Sequence, residues 1–413
     1  MTLGLEALET ASDVTIVGGG LVGASLACAL TGHGVRTALV EPFPFDSDDP
    51  PGYDDRTIAL AEGSRRILDG LGVWGDIAAH ATPIRRIHVS DRGRFGTATL
   101  SAAEQGVTAL GYVATARDIG RALTDRLAAL PDVSLLMPAS LDTLRDAAGG
   151  MHLTVNHDAT LSGLDSRLVV AADGARSRVR ELLDIGVRRW EYGQTAIVAN
   201  ITPEHAHEGV AYERFTATGP LALLPLSEGR CALVCTVRDE QVEALMSLDE
   251  SGFADLVYGR FGARLGRIVR VGERQAHSLA YLRARVDTRP RVAVIGNAAH
   301  TLHPVAGQGF NLGLRDVAAL AEVVVDAIRT GDDPGSDAVL LRYARWRRWD
   351  QARTAGFTDG LVRLFSNPLG PVGWLRGAGL VAFDLLPPAK RLLSRSAMGL
   401  TGRLPRLARG LSL

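Results

Sequence analysis

A chain of 413 residues, 46% hydrophobic and 22% charged, is long enough for more than one domain and too apolar to be disordered. Its 45 basic and 46 acidic groups leave a formal charge of −1, which excludes whole-molecule attraction to nucleic acid. Three cysteines, Cys28, Cys231 and Cys235, cannot build a disulfide framework and match no zinc-ligand spacing. They read as small buried hydrophobes of a protein in a reducing, cytoplasmic compartment.

The opening MTLGLEALETAS carries Glu6 and Glu9, with Asp13 just beyond and no basic n-region, which argues against an export signal. No run approaches the roughly 18 continuous apolar residues of a membrane span. Residues 13–41 then read as one βαβ unit. DVTIV is a short apolar run suited to a buried parallel strand. GGGLVG follows it, then the small-residue helix ASLACALTGHG, ended by Gly32 and Gly34, and a second strand, VRTALVE, closed by Glu41 and Pro42. Residues 46–56, DSDDPPGYDDR, are a polar loop. A helix is predicted over about 116–129 and a strand over 167–172.

From about 187 to 275 the pattern changes. TAIVANI, GVAYERFTA, LALLPL and CALVCTV are strand-like and separated by Gly, Pro and charged turns, as in an antiparallel sheet inserted into the first domain. RVAVI (291–295) and a helix from near Asn311 return to that domain; Leu314, Val317, Leu320, Val324 and Ile328 give the helix one core face. The tail from 367 holds Arg376, Lys390, Arg391, Arg395, Arg403, Arg406 and Arg409 against one acid, Asp384, interleaved with apolar residues. Two readings of it stand: a basic amphipathic segment on an anionic membrane, or a helical layer packed on the core with its charges in water.

Gly18-x-Gly20-x-x-Gly23 follows a strand and opens a helix, and Glu41 ends the next strand. In a dinucleotide site the first glycine permits a tight turn, the second admits a pyrophosphate and the third lets helix and strand pack closely; the acid takes a ribose diol. The pattern does not separate FAD from NAD. Further on, AADGARSRVR (171–180) places Asp173, Gly174, Ser177 and Arg180 after a strand, where Asp173 on its own terms is a helix cap. GNAAHTLHPVAGQGFNLG (296–313) packs small residues between an apolar run and a helix, a composition that suits neither strand nor helix and keeps the backbone bare.

Taken in order, these three stretches resemble the signatures of the aromatic-ring flavin hydroxylases, the fold group of p-hydroxybenzoate hydroxylase. DDRTIAL (54–60), LGYV (110–113), YGQTAIVANI (192–201), AYERFTATGPLALLPL (211–226), GNAAHTLHPVAGQGFNLGLRD (296–316) and AMGLTGRLPRLARG (397–410) narrow it. They look like the ubiquinone-biosynthesis hydroxylases, nearest the 2-polyprenyl-6-methoxyphenol hydroxylases, over almost the whole chain.

The resemblance implies an α/β fold: a Rossmann-like FAD-binding domain, an inserted mainly antiparallel substrate domain and a helical C-terminal region. Residues 1–75, 100–182 and 276–330 would form the FAD domain, 76–99 and 183–275 the substrate domain, and 331–413 the helical region. Gly18, Gly20 and Gly23 would meet the pyrophosphate, Glu41 the adenosine ribose, and Arg56 the phosphates and ribityl chain. Asp173 would join them in the second signature. Asn297 stands where many relatives have Asp, and its amide can still bond ribityl hydroxyls. Gly307, Gln308, Gly309, Phe310 and Asn311 would present backbone to the flavin pyrimidine edge. At the start of the 116–129 helix, where many relatives have Arg or Asn, this chain has Ala116, so a contact from Arg117 comes from one step along. Pro304 would form a rigid wall near the reactive face.

His300 and His303, at i and i+3, lack an acid or cysteine partner for a metal site, and the family uses no metal. His300 reads as a structural hydrogen-bonder; His303 either faces the substrate phenol and helps deprotonate it or has no chemical role. His205 and His207 read as solvated. By resemblance, NAD(P)H binding transiently would reduce FAD, and a flavin C4a-hydroperoxide formed with O₂ would hydroxylate a polyprenylated phenol. Leu221, Leu223 and Leu224 either line an apolar site or are merely sheet core. Partners implied are the phenol, O₂, a quinone-biosynthesis assembly and the inner membrane face through the basic tail. Two rivals stay open: another flavin oxidoreductase on this fold, an epoxidase or isoprenoid reductase, and a non-catalytic flavin-bearing member of such an assembly.

Overall fold

The structure, a computed structural model, describes residues 11–44, 56–301, 307–365 and 370–413. Its first sheet is built on Ser12–Val17, which pairs in parallel with Thr37–Val40 on one side and Thr160–Ala171 on the other. Val133–Leu136 and Val292–Val294 extend the parallel order outward. Every residue of Ser12–Val17 and Thr37–Val40 is buried, because helices cover one face and the strands Ser140–Ala147 and Gly150–His157, with the short helix Arg178–Leu182, cover the other. That is why DVTIV and TALV are continuous apolar runs rather than alternating ones. A hairpin, Ser140–Ala147 with Gly150–His157, continues antiparallel from Thr160–Ala171.

The second sheet has nine strands. In the order Gln275–Ala284, Val187–Pro203, Cys231–Arg238, Gly219–Pro225 and Val210–Thr216 its neighbours are antiparallel. Arg86–Asp91 then joins Val210–Thr216 in parallel and pairs with Thr97–Ser101. Strand alternation gives the sheet two apolar faces with different neighbours. Leu221, Leu223, Leu233, Cys235 and Val237 pack against Phe253 and Val257 of the helix Glu250–Phe261. Ala211, Ala222, Leu224 and Val234 face a large cavity instead. The two readings of the leucines therefore divide residue by residue: Leu221 and Leu223 are core, and Leu224 lines the site.

The helix Gln308–Thr330 crosses behind the first sheet, and Asp337–Phe365 packs along it. A buried polar network joins them. Asp316 Oδ2 accepts from His300 Nε2 at 2.6 Å, and Oδ1 accepts from Arg347 Nε at 2.7 Å and Gln351 Nε2 at 3.2 Å. A carboxylate can only accept, so the His300 proton is on Nε2. Arg347 also meets Asp350, which accepts from Arg315 Nε at 2.7 Å. His300 is thus a structural hydrogen-bonder. His207, expected in water, is bound too: its Nε2 donates to the Leu226 carbonyl at 2.8 Å and its Nδ1 accepts from Gly209 N–H at 3.1 Å.

In the basic tail, several charges pack on the rest of the chain rather than standing in water. Arg376 is buried against Asp91 at 3.1 Å, Lys390 meets Asp384 at 3.2 Å, and Arg406 holds Asp326 and Glu322. Arg403 lies over the Trp346 ring, 4.4 Å from its centroid. Arg391, Arg395 and Arg409 remain exposed.

Burial pushes the Asp316 carboxyl up, but Arg347 and His300 outweigh it and hold the group well below the ordinary carboxylate value of 3.8. A folded-state value below the unfolded one contributes stability that is present above about pH 4 and lost as pH falls through the folded value. Asp316→Asn takes from buried Arg347 one of its two carboxylate partners, leaving Asp350, and should cost about 3 kcal/mol at neutral pH. Denaturant melts between about pH 2 and 7 check this, since the variant should also lose part of the wild type's acid-side decline.

Candidate cofactor and substrate site

The cavity, of about 1510 Å³, begins at the carboxyl ends of the parallel strands, where doubly wound sheets bind their ligands. Gly18 has φ +101°, and a Cβ there would lie 2.6 Å from the Ala172 carbonyl oxygen. A Cβ on Gly23 would come within 1.9 Å of the Gly18 oxygen, so the third glycine lets the helix Leu21–Leu30 close on the strand. Gly20 differs: nothing stands within 4 Å of its missing Cβ, and no side chain caps the helix it begins. The free N–H groups at that end open onto the cavity, an arrangement that suits phosphate.

Glu41, leaving the second strand, curls back so that Oε2 accepts from Gly19 N–H at 2.5 Å and Oε1 from Phe43 N–H at 3.1 Å. Burial raises its carboxyl despite these donors. Each oxygen keeps lone-pair capacity toward a diol. Ser177 is the N-cap of the helix Arg178–Leu182, and Asp173 supports its first turn by accepting from Val179 N–H through Oδ2 at 3.1 Å; Asp173 also lines the cavity, and burial raises its carboxyl as well. Asn297 and Arg56 both line the cavity with exposed side chains. Ala116 lines it, and Arg117, the next residue in the helix, does not. Arg176 and Arg178 also line it, beside Asp173. Their signal was in AADGARSRVR, but only position relative to the cavity separates them from solvated arginines.

Opposite lies the start of the helix Gln308–Thr330. Gly307 caps it in the left-handed region, φ +58°, with Ala59 3.0 Å from where a Cβ would stand. No side chain caps this end either, and the space beside Gly309 is open. Gln308 and Phe310 line the cavity with them. Asn311 is the fastening. Its Oδ1 accepts from Ala61 N–H at 2.8 Å and Ser64 Oγ at 2.7 Å, while Nδ2 donates to the Ala59 and Gly307 carbonyls at 2.8 and 2.6 Å. A fully committed amide has nothing left for a ligand, so Asn311 serves by holding the turn. His303 and Pro304 lie outside the described residues.

Beyond this turn the cavity continues over Val89, Ala98, Ala222 and Val234 of the second sheet, and ends against Leu380, Phe383 and Leu393 of the C-terminal helices. Its volume exceeds the roughly 300–1,000 Å³ of a pocket for one ligand. FAD fits what is present: a cradle open at Gly20 and Gly309, two uncapped helix ends for its anionic parts, and carboxylates for its hydroxyls.

Residues 11–355 match the family described as "FAD binding domain". The chain is 42% identical to Ubiquinone hydroxylase UbiL of Rhodospirillum rubrum, over 98% of this chain and 94% of that protein. It is 33% identical to 3-demethoxyubiquinol 3-hydroxylase of Escherichia coli, over 94% and 99% respectively. Among solved structures, p-nitrophenol 4-monooxygenase PnpA of Pseudomonas putida superposes with a TM-score of 0.77 at 21% identity, covering 96% of this chain and 99% of that one, a likeness of fold.

Two glycine substitutions should separate folding from binding. Gly23→Ala, forced against the Gly18 carbonyl, should lose about 1–3 kcal/mol or more of stability. Gly20→Val, pointing into open space, should melt with the wild type yet weaken FAD binding at least tenfold, as read by fluorescence titration of the apoprotein.

Proposed function

The chain belongs to the FAD binding domain family, and on that premise we propose that it hydroxylates the aromatic ring of a polyprenylated phenol in ubiquinone biosynthesis. The observation that carries this reading is the single cavity that joins a dinucleotide cradle to an apolar sheet face and an apolar helical wall. The names of its relatives, a ubiquinone hydroxylase and a demethoxyubiquinol hydroxylase, point the same way.

Bound FAD, reduced by NAD(P)H, supplies the activation of O₂. The protein's own part is positional. Gly18, Gly20 and Glu41 would hold the adenosine and pyrophosphate half, and Arg56, Asp173 and Asn297 the middle. The backbone N–H groups of the turn at Gly307–Phe310, a turn fixed by Asn311, would meet the electron-rich edge of the ring and stabilise its charge without reorganisation. Val89, Ala222 and Val234 would keep water from the reacting centre. No second dinucleotide fingerprint is present in the sequence, which supports a transient visit by NAD(P)H.

The far end of the cavity suits a lipid tail. Leu375 lines it and is also 72% exposed; on the C-terminal helices Trp374 is 65% and Leu392 67% exposed, and Leu385, in the turn between those helices, is 73%. An apolar lip of this kind around a pocket mouth is what an enzyme needs to take a substrate from a bilayer. Exposed Arg391 and Arg395 add attraction to anionic lipid. Among the described residues no helix is long and apolar enough to cross a membrane, so the contact would be peripheral.

Purified protein should be yellow with FAD, and a prenylated methoxyphenol should accelerate its NAD(P)H oxidation and take isotope from labelled O₂ into the ring. Turnover that yields only hydrogen peroxide, or label at an alkene, contradicts the proposal. For the lip, Leu385→Glu with Leu392→Glu should lower co-sedimentation with anionic phospholipid vesicles several-fold while FAD content stays at the wild-type level.

A further inference from the structure

Glu213 is an unusual residue to find where it stands. On Val210–Thr216 it points into the cavity between Ala211 and Phe215. Val89 lies beside it in register on one neighbouring strand and Ala222 on the other, with Val234 one strand further, and all line the same cavity. Among the described residues no hydrogen bond or ion pair reaches its carboxylate, and burial alone raises it to about 7. Of the charged groups on the neighbouring elements, Asp91, on the strand that carries Val89, is paired with Arg376 of the helix Gly370–Asp384, which lines the same cavity. Strands Gly219–Pro225 and Cys231–Arg238 present no charged group to the cavity, only the Thr236 hydroxyl, which is itself buried without a partner. An unpaired carboxyl in an apolar wall is destabilising. Such groups are retained where chemistry uses them.

We propose that Glu213 is the proton acceptor for the phenolic hydroxyl of the substrate, an assignment that rests on the aromatic hydroxylase reading above. The O–H bond breaks and its proton passes to a Glu213 carboxylate oxygen. The bonding pair stays on the phenolic oxygen, so the ring gains electron density and Glu213 becomes the neutral acid. Nothing is oxidised or reduced in this step. The apolar wall keeps water from competing for the proton, and the raised carboxyl lies closer to a phenol than an ordinary glutamate does.

The sign of the stability effect follows from the same group. Its folded value of about 7 exceeds the ordinary 4.5, so stability falls as pH rises through that window and stays lower above it. Glu213→Gln should therefore raise the melting temperature at about pH 8, whereas loss of a merely structural contact would lower it. In the FAD-loaded protein the same variant should lose about 10²-fold in ring hydroxylation and the limb of kcat/KM that rises near neutral pH. The direct readout is the carbon-13 resonance of the Glu213 carboxyl, assigned by its absence in E213Q. It should titrate near neutrality and move when 2-geranyl-6-methoxyphenol is added, but not with the methyl ether of that phenol. A signal that titrates like a solvated glutamate, or answers equally to both compounds, overturns the proposal. A signal that answers only to the phenol, in a protein that puts no label into the ring, sustains the contact and defeats the hydroxylase reading instead.

Discussion

The structure depends on the glycine-capped turn that opens the helix Gln308–Thr330. Its N-cap, Gly307, has no side chain with which to accept from the first turn. Left in water, such an end frays; here it is fixed by Asn311, which binds Ala59, Ala61, Ser64 and Gly307 with one amide. Fixed donors around an open space are worth more to a developing negative charge than mobile ones, because no reorganisation is needed when the charge appears. The small residues around them follow from that requirement. A side chain at Gly307 would press on Ala59, and one at Gly309 would occupy the cavity itself.

Placement of this turn depends in turn on packing far from it. Asp316, two turns along the helix, is tied to His300 on the strand side and to Arg347 and Gln351 on the long helix. That cluster ties the helix to an edge of the second sheet, where His300 pairs with Arg283, and to the long helix. The second sheet divides its residues by alternation: the leucines that hold it together face the helix Glu250–Phe261, and the smaller Ala211, Ala222 and Val234 leave room on the other side. The C-terminal helices close that room, with buried Arg376 held by Asp91 and half-buried Lys390 by Asp384.

Much of this could be read from residue order. Local physics writes strongly in short windows: DVTIV before GGGLVG before a small-residue helix, or the alternation of CALVCTV, leaves few other structures open. The long helix from Gln308 and its core face were equally legible, since periodicity is a local property. What could not be read lies in pairs distant along the chain. Asp316 meets Arg347 only because two helices pack, and Arg376 meets Asp91 across most of the sequence. Asn311 was legible as part of a bare turn, but its role as a fastening needed Ala59, Ala61 and Ser64 in place. Glu213 looked like an ordinary polar residue of an alternating strand, and only the cavity over that face made it exceptional. Arg117 shows the reverse case: proximity in sequence to a cavity residue, Ala116, did not bring it to the wall.

The most direct test of the central claim is the reduction potential of bound FAD, measured spectroelectrochemically in the wild type and in Gly309→Asp. Space beside Gly309 is open and an acid favours a helix N-terminus, so the substitution leaves the fold intact while opposing charge at the ring. A bare helix end that steadies reduced flavin predicts a bound potential above that of free FAD and a clear fall in the variant. Equal potentials for wild type, variant and free FAD would mean that the ring does not sit on this turn.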